Sequence, residues 1–167
     1  MERILYSEKR KSIAFTGHRI IPFVRQEEVK VRLTAAVVHA CKLGITRFYC
    51  GMALGFDMMA AEVVLSLKDK IPDIQLIAIV PYRGQSSRWA SAEQERYHRI
   101  LAKMDKVVTL SENYFRGCLL RRNDYMLLHC CSVIAYYDGK PKGGTFYTVR
   151  KAERLKMEVV NIYDQRG

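Results

Sequence analysis

Short apolar runs and helix-period segments alternate along this chain, and each run stops at a glycine, a proline or a polar loop. That alternation limits the fold more than any other feature. Ser12–Thr16 (SIAFT) reads as a buried strand ending at Gly17. In the segment 26–42, Val29, Leu33, Ala36, Val37 and Ala40 recur at helical spacing, and Gly44 closes the helix. Strands are then predicted over 46–50, 75–80, 106–110, 133–137 and 158–163. Helices are predicted over 57–70, 89–104, 120–131 and 145–156.

Strands that alternate with helices build right-handed β-α-β units. The strands are apolar almost throughout, as strands covered on both faces must be. The expected fold is therefore a Rossmann-like α/β three-layer sandwich, with a mostly parallel sheet and helices on both faces. The length of 167 residues suits a single domain over 1–167, with disorder expected only in the first ten residues and the last few.

In such a sheet a ligand sits beyond the carboxyl ends of the strands, where the strand order reverses. Three loops there carry chemistry. Thr16-Gly17-His18-Arg19 follows the first strand. Gly17 permits a tight turn and close backbone approach, Arg19 offers a fork of donors to phosphate or carboxylate, and His18 offers a bond or an acid–base group. The second loop runs from Gly51 to Asp57, where Gly51 and Gly55 precede a helix whose free N–H groups suit an anion. Asp57 has two roles open to it, helix N-cap or partner of a ribose hydroxyl. The third loop, Gly139–Thr145, joins Lys140 and Lys142 to Gly143, Gly144 and the Thr145 hydroxyl, a set suited to cradling phosphate. Neither the G-x-G-x-x-G fingerprint nor the Walker order is present, so neither a standard dinucleotide site nor an ATPase is read.

Arg121-Arg122-Asn123 opens a helix, where both arginines could reach a phosphate and Asn123 could cap or bond a base. Trp89 is the sole tryptophan, and it is expected to pack its helix onto the sheet rather than stack on a base. Asp57 and Glu62 are the candidate catalytic carboxylates. No Ser-His-Asp or Cys-His set can be placed.

Charge and cysteines narrow the partners. Lys and Arg total 28 against 17 Asp and Glu, a formal net charge of +11. Such a surface draws anions, with loose clusters at Lys9-Arg10-Lys11 and at Arg116, Arg121 and Arg122. The five cysteines are odd in number and lack C-x-x-C spacing, which argues against a disulfide scaffold or a zinc site. His129 beside Cys130 and Cys131 is not read as a metal site, because adjacent helical residues point apart. No cofactor is required by any motif. No stretch reaches the length of a membrane span, so a cytoplasmic protein is expected, with a homo-oligomer left open.

Four motifs in order carry a family likeness: TGHR (16–19), GMALGFDMMAAE (51–62), RRNDYMLL (121–128) and GGTFYT (143–148). Together they resemble the SLOG superfamily of Rossmann-like proteins, which holds the LOG cytokinin-activating phosphoribohydrolases and the Smf/DprA DNA-processing proteins. The strongest resemblance is to the YpsA-like family, through its G-A/M-x-L-G-F-D-x-x-A-A-E pattern. Pro81, Gln85, Trp89, Tyr97 and Arg122-Asn123 also look like that family, and the likeness runs from about Ile13 to Ile162. The resemblance implies a pocket for a nucleotide-derived ligand, with contacts at Gly17, Arg19, Gly51, Gly55, Asp57, Arg122, Asn123, Gly143, Gly144 and Thr145. LOG enzymes carry P-G-G-x-G-T-x-x-E at the third loop, and here Lys142–Thr148 lacks the following acid.

Three functions follow as expectations. The first is binding or sensing of an ADP-ribose- or NAD-like compound. The second is hydrolysis or transfer at an N-glycosidic bond of a nucleotide. The third is single-stranded DNA binding, motivated by the +11 charge, Trp89 and the paired Tyr136-Tyr137.

Overall fold

The computed structural model describes residues 1–165. Six strands form one sheet: β1 (Ser12–Gly17), β2 (Arg47–Cys50), β3 (Gln75–Val80), β4 (Lys106–Thr109), β5 (Ser132–Tyr136) and β6 (Glu158–Asn161). Their spatial order is β4-β3-β2-β1-β5-β6, and every neighbouring pair is parallel. The sheet is thus parallel throughout, where the sequence suggested mostly parallel. The helices are α1 (Glu2–Lys9), α2 (Gln26–Lys42), α3 (Phe56–Leu67), α4 (Ser91–Leu101), α5 (Cys118–His129) and α6 (Gly143–Arg154).

Alternation along each strand sends neighbouring side chains to opposite faces. Ile13 and Phe15, Phe48 and Cys50, and Leu76 and Ala78 meet Val29, Leu33 and Val37 of α2 and Ala60, Val63 and Val64 of α3 in one core. Ala14, Tyr49, Ile77 and Ile79 face the other way, onto Met126 and Cys130. Val133 and Ala135 meet Leu127 together with Val149 and Ala152 of α6. So α2, α3 and α4 cover one face, and α5 and α6 the other.

The chain runs outward from β1 through β2 and β3 to β4, then returns to place β5 on the far side of β1. This reversal between β1 and β5 opens a crevice at their carboxyl ends. The register sets Gly17 level with Tyr136, and His18 N–H donates to the Tyr136 carbonyl at 3.2 Å.

Two expectations need correction. The first ten residues were expected to be disordered, yet 2–9 form α1. ERILYSEK has Glu2 in the first turn and Lys9 in the last, which suits the helix dipole, although α1 buries no residue. The expected disorder of the last few residues falls partly on 166 and 167, outside the described residues. The second correction concerns the start of α3. Gly55, at φ +79°, is its N-cap, and Asp57 lies inside the first turn. The reason is tertiary: Phe56 N–H donates to the His18 carbonyl at 3.1 Å, and this pulls the helix start forward.

Phe56 explains Gly17 as well. Its ring stacks on Tyr136 at 5.8 Å and meets Phe15 edge-on at 6.2 Å. A Cβ at position 17 would lie 2.4 Å from that ring, whereas one at position 144 would meet Asn123 at an ordinary 3.9 Å. We expect Gly17→Ala to cost about 1–3 kcal/mol through overpacking. Gly144→Ala is expected to change stability by less than about 1 kcal/mol. Urea midpoints of the two variants check both values.

Candidate functional site

At the crevice lies a cleft of about 480 Å³. One wall is the end of β1, from Phe15 to Arg19. The others are the N-terminal turns of α5 (Gly117–Leu120) and α6 (Gly143–Thr145), with Ala53 and Asp57 from the loop before α3 and its first turn. Neither α5 nor α6 has a side-chain cap. The N–H groups of Leu119, Leu120, Gly144 and Thr145 meet no protein acceptor among the described residues. Two helix dipoles therefore bring their positive ends to the cleft, which is the arrangement that holds anions.

Arg122 is the central cation and is only 5% exposed. Its Nη1 donates to the Gly51 carbonyl and its Nε to Asn123 Oδ1 at 2.7 Å. Its Nη2 has no partner among the described residues. The Gly51 carbonyl also accepts from Gln85 Nε2 at 3.2 Å, and Tyr97 donates its hydroxyl to Gln85 Oε1 at 3.1 Å. Trp89 closes this chain from behind, edge-on to Tyr97 at 5.3 Å. Trp89 thus packs, as the sequence suggested, and it lies outside the cleft.

Asp57 is equally buried, at 5% exposure, and accepts the Ala53 N–H at 3.2 Å. Burial pushes its carboxyl up to about 6, against the pull of Arg122, the Ala53 N–H and Arg19. A carboxyl that titrates near neutrality and faces a cleft can donate or accept a proton there. Arg19 is exposed on the cleft wall and forms no ion pair among the described residues. His18 Nε2 accepts the Asp138 N–H at 2.9 Å, which sets the proton of a neutral ring on Nδ1. That Nε2 also lies 3.2 Å from Asp138 Oδ1.

Gly17, His18, Arg19, Asp57, Arg122, Asn123, Gly143, Gly144 and Thr145 all line the cleft. Gly51, Gly55 and Glu62 do not. A Cβ on Gly51 would meet the Arg122 guanidinium at 2.7 Å, and one on Gly55 would meet the Arg19 carbonyl at 2.1 Å. Both glycines serve close protein contacts that shape the wall from behind. Glu62 faces α4, where it pairs with Arg96. The sequence reading missed Tyr114, Cys118, Leu119 and Leu120 as lining residues. Their signal was the irregular stretch 111–119 with Gly117 just ahead of a helix. Gly117 takes φ +90° and turns the chain into α5.

The model of the YspA SLOG family (YpsA) matches residues 16–164. The chain belongs to this family. Its relatives include the UPF0398 protein BH1768 of Halalkalibacterium halodurans, 31% identical over 71% of this chain and 65% of that one. The UPF0398 protein of Bacillus pumilus is 27% identical over 86% of this chain and 82% of that one. The match to the first relative thus spans just under two thirds of its length. Among solved structures, DNA processing protein A of Helicobacter pylori shares the fold at TM-score 0.63 and 18% identity, over 93% of this chain and 66% of that one. The structure of that protein was described for its single-stranded DNA binding mode. Among the described residues, no helix is long and apolar enough to cross a membrane, and no group of His, Cys, Asp and Glu is arranged to hold a metal ion.

Asp57 yields a signed prediction. Its carboxyl moves from 3.8 to about 6 on folding, so the folded state holds the proton more tightly. Stability from this group is complete below about pH 4 and falls as pH rises through 6, by roughly 3 kcal/mol. We expect Asp57→Asn to be more stable than the parent at pH 7.5 by about 1–3 kcal/mol, with the gain gone at pH 4. Urea unfolding at the two pH values measures it.

Proposed function

We propose that the cleft binds a nucleotide-derived, phosphate-bearing small molecule, and that the chain acts as a binding or sensing domain. Arg122 carries this reading. A buried guanidinium with an unused Nη2, on a cleft that two uncapped helix N-termini also line, has the donors of an anion receptor. Arg19 and Lys142 add positive charge on the same walls. The Thr145 hydroxyl adds a donor beside the α6 N–H groups. Catalysis at an N-glycosidic bond would rest on Asp57 alone, because Glu62 is turned toward Arg96.

Single-stranded nucleic acid is the second reading. Tyr114 lines the cleft at 64% exposure, with Phe115 and Arg116 next to it, and the net charge is +11. Aromatic rings interleaved with cations suit unpaired bases. The H. pylori protein of similar fold adds support by its described ligand.

Thermal unfolding against AMP, NAD, ADP-ribose and a single-stranded oligonucleotide separates the readings. A ligand near a hundred times its Kd adds roughly 2.7 kcal/mol, or a rise of about 5–10 °C for a domain of this size. We expect that rise with at least one small nucleotide. Gly144→Val should abolish it while leaving the unliganded midpoint within a few degrees. A rise with the oligonucleotide alone, steeply weakened by salt, would replace the first reading with the second.

A further inference from the structure

A second cavity, of about 510 Å³, adjoins the main cleft across His18 and Arg19, which line both. Tyr136, Tyr163, Arg25 and Asp138 lie in its wall. Tyr136 is only 3% exposed, its ring fixed between Phe56 at 5.8 Å and Tyr163 at 5.0 Å. Its hydroxyl nevertheless has no hydrogen-bond partner among the described residues. The oxygen is not sealed into the core, and the residue lines the cavity. A phenol hydroxyl on a ring held this firmly, free of protein partners among the described residues, is a fixed donor and acceptor for an occupant of the cavity.

The surrounding groups narrow that occupant. Asp138 accepts the Lys140 N–H at Oδ1, and this bond, with His18 and Lys140 nearby, holds its carboxyl below the usual range. It is therefore an anion at neutral pH, and it disfavours a second phosphate in this cavity. Arg25 donates through Nη1 to the Asp164 carbonyl, which sets its guanidinium at the cavity wall. A carboxylate that only accepts, a guanidinium that only donates and a phenol that does both are the partners of a ring rich in hydroxyls.

We propose that this side cavity is a second subsite, which takes the sugar ring of a two-part ligand whose phosphates lie in the main cleft. The inference rests on the phosphate reading of the main cleft. Arg19, shared by both cavities and unpaired among the described residues, spans the junction where a diphosphate would cross.

Titration calorimetry with ADP and ADP-ribose tests it, since the pair differs by one sugar ring beyond the diphosphate. ADP-ribose should bind about tenfold tighter than ADP. Tyr136→Phe keeps the ring packing and removes the oxygen, and Asp138→Asn keeps the shape and removes the charge. Each should weaken ADP-ribose by roughly 3–10-fold and leave ADP unchanged. Equal affinity of the parent for the two ligands overturns the second subsite alone. So does a preference for ADP-ribose that neither variant alters, or one weakened equally for both ligands. If neither ligand binds, the phosphate reading of the main cleft fails, and the subsite fails with it.

Discussion

The candidate site depends on one buried contact, that of the Arg122 guanidinium with the carbonyl oxygen of Gly51. It ties α5, on one face of the sheet, to the end of β2, whose following helix lies on the other. Burying a guanidinium is costly unless its donors are met, and here Gly51 and Asn123 meet two of them. Gln85, in the loop before α4, donates to the same carbonyl, and Tyr97 of α4 bonds Gln85 in turn, so α5 and that loop meet at one oxygen with α4 behind them. The Gly51 backbone must lie bare for this, because any Cβ there would strike the guanidinium.

The glycines of the strand-end loops consequently divide into two groups. Gly17, Gly51 and Gly55 are held by close contacts with Phe56, Arg122 and the Arg19 carbonyl. They shape the cleft by letting protein approach protein. Gly143 and Gly144 meet no crowding, and they leave the first turn of α6 open to the cleft. Met52 belongs with the first group. It takes φ +60°, a conformation that costs a non-glycine residue about 1–2 kcal/mol, and its fully buried side chain holds it there.

Asp57 gives the site its chemical tension. Burial opposes its charge while Arg122, the Ala53 N–H and Arg19 favour it, and burial dominates. A residue that lowers stability at neutral pH and yet faces a cleft is the kind retained for binding or chemistry. Arg122 and Asp57 are thus a cation and an anion that share one desolvated wall without forming a direct ion pair among the described residues.

Among the described residues, the alternation of apolar runs with helical periods determined the α/β class, all six strands and five of the six α-helices, because each pattern follows from local geometry. Only α1 escaped it, since a helix that buries nothing leaves no apolar period to read. The sequence pattern put Thr145 in a strand-end loop and Arg122-Asn123 at a helix start, and the fold brings them to one cleft because parallel sheets open their crevices there. Tertiary structure alone decided which glycines face the cleft and which face protein, and that Glu62 belongs to Arg96. It also moved the start of α3 to Phe56 and left the Tyr136 hydroxyl unpaired over a second cavity. These features depend on atoms far apart in the chain meeting within a few ångströms, and no local spacing records such a meeting.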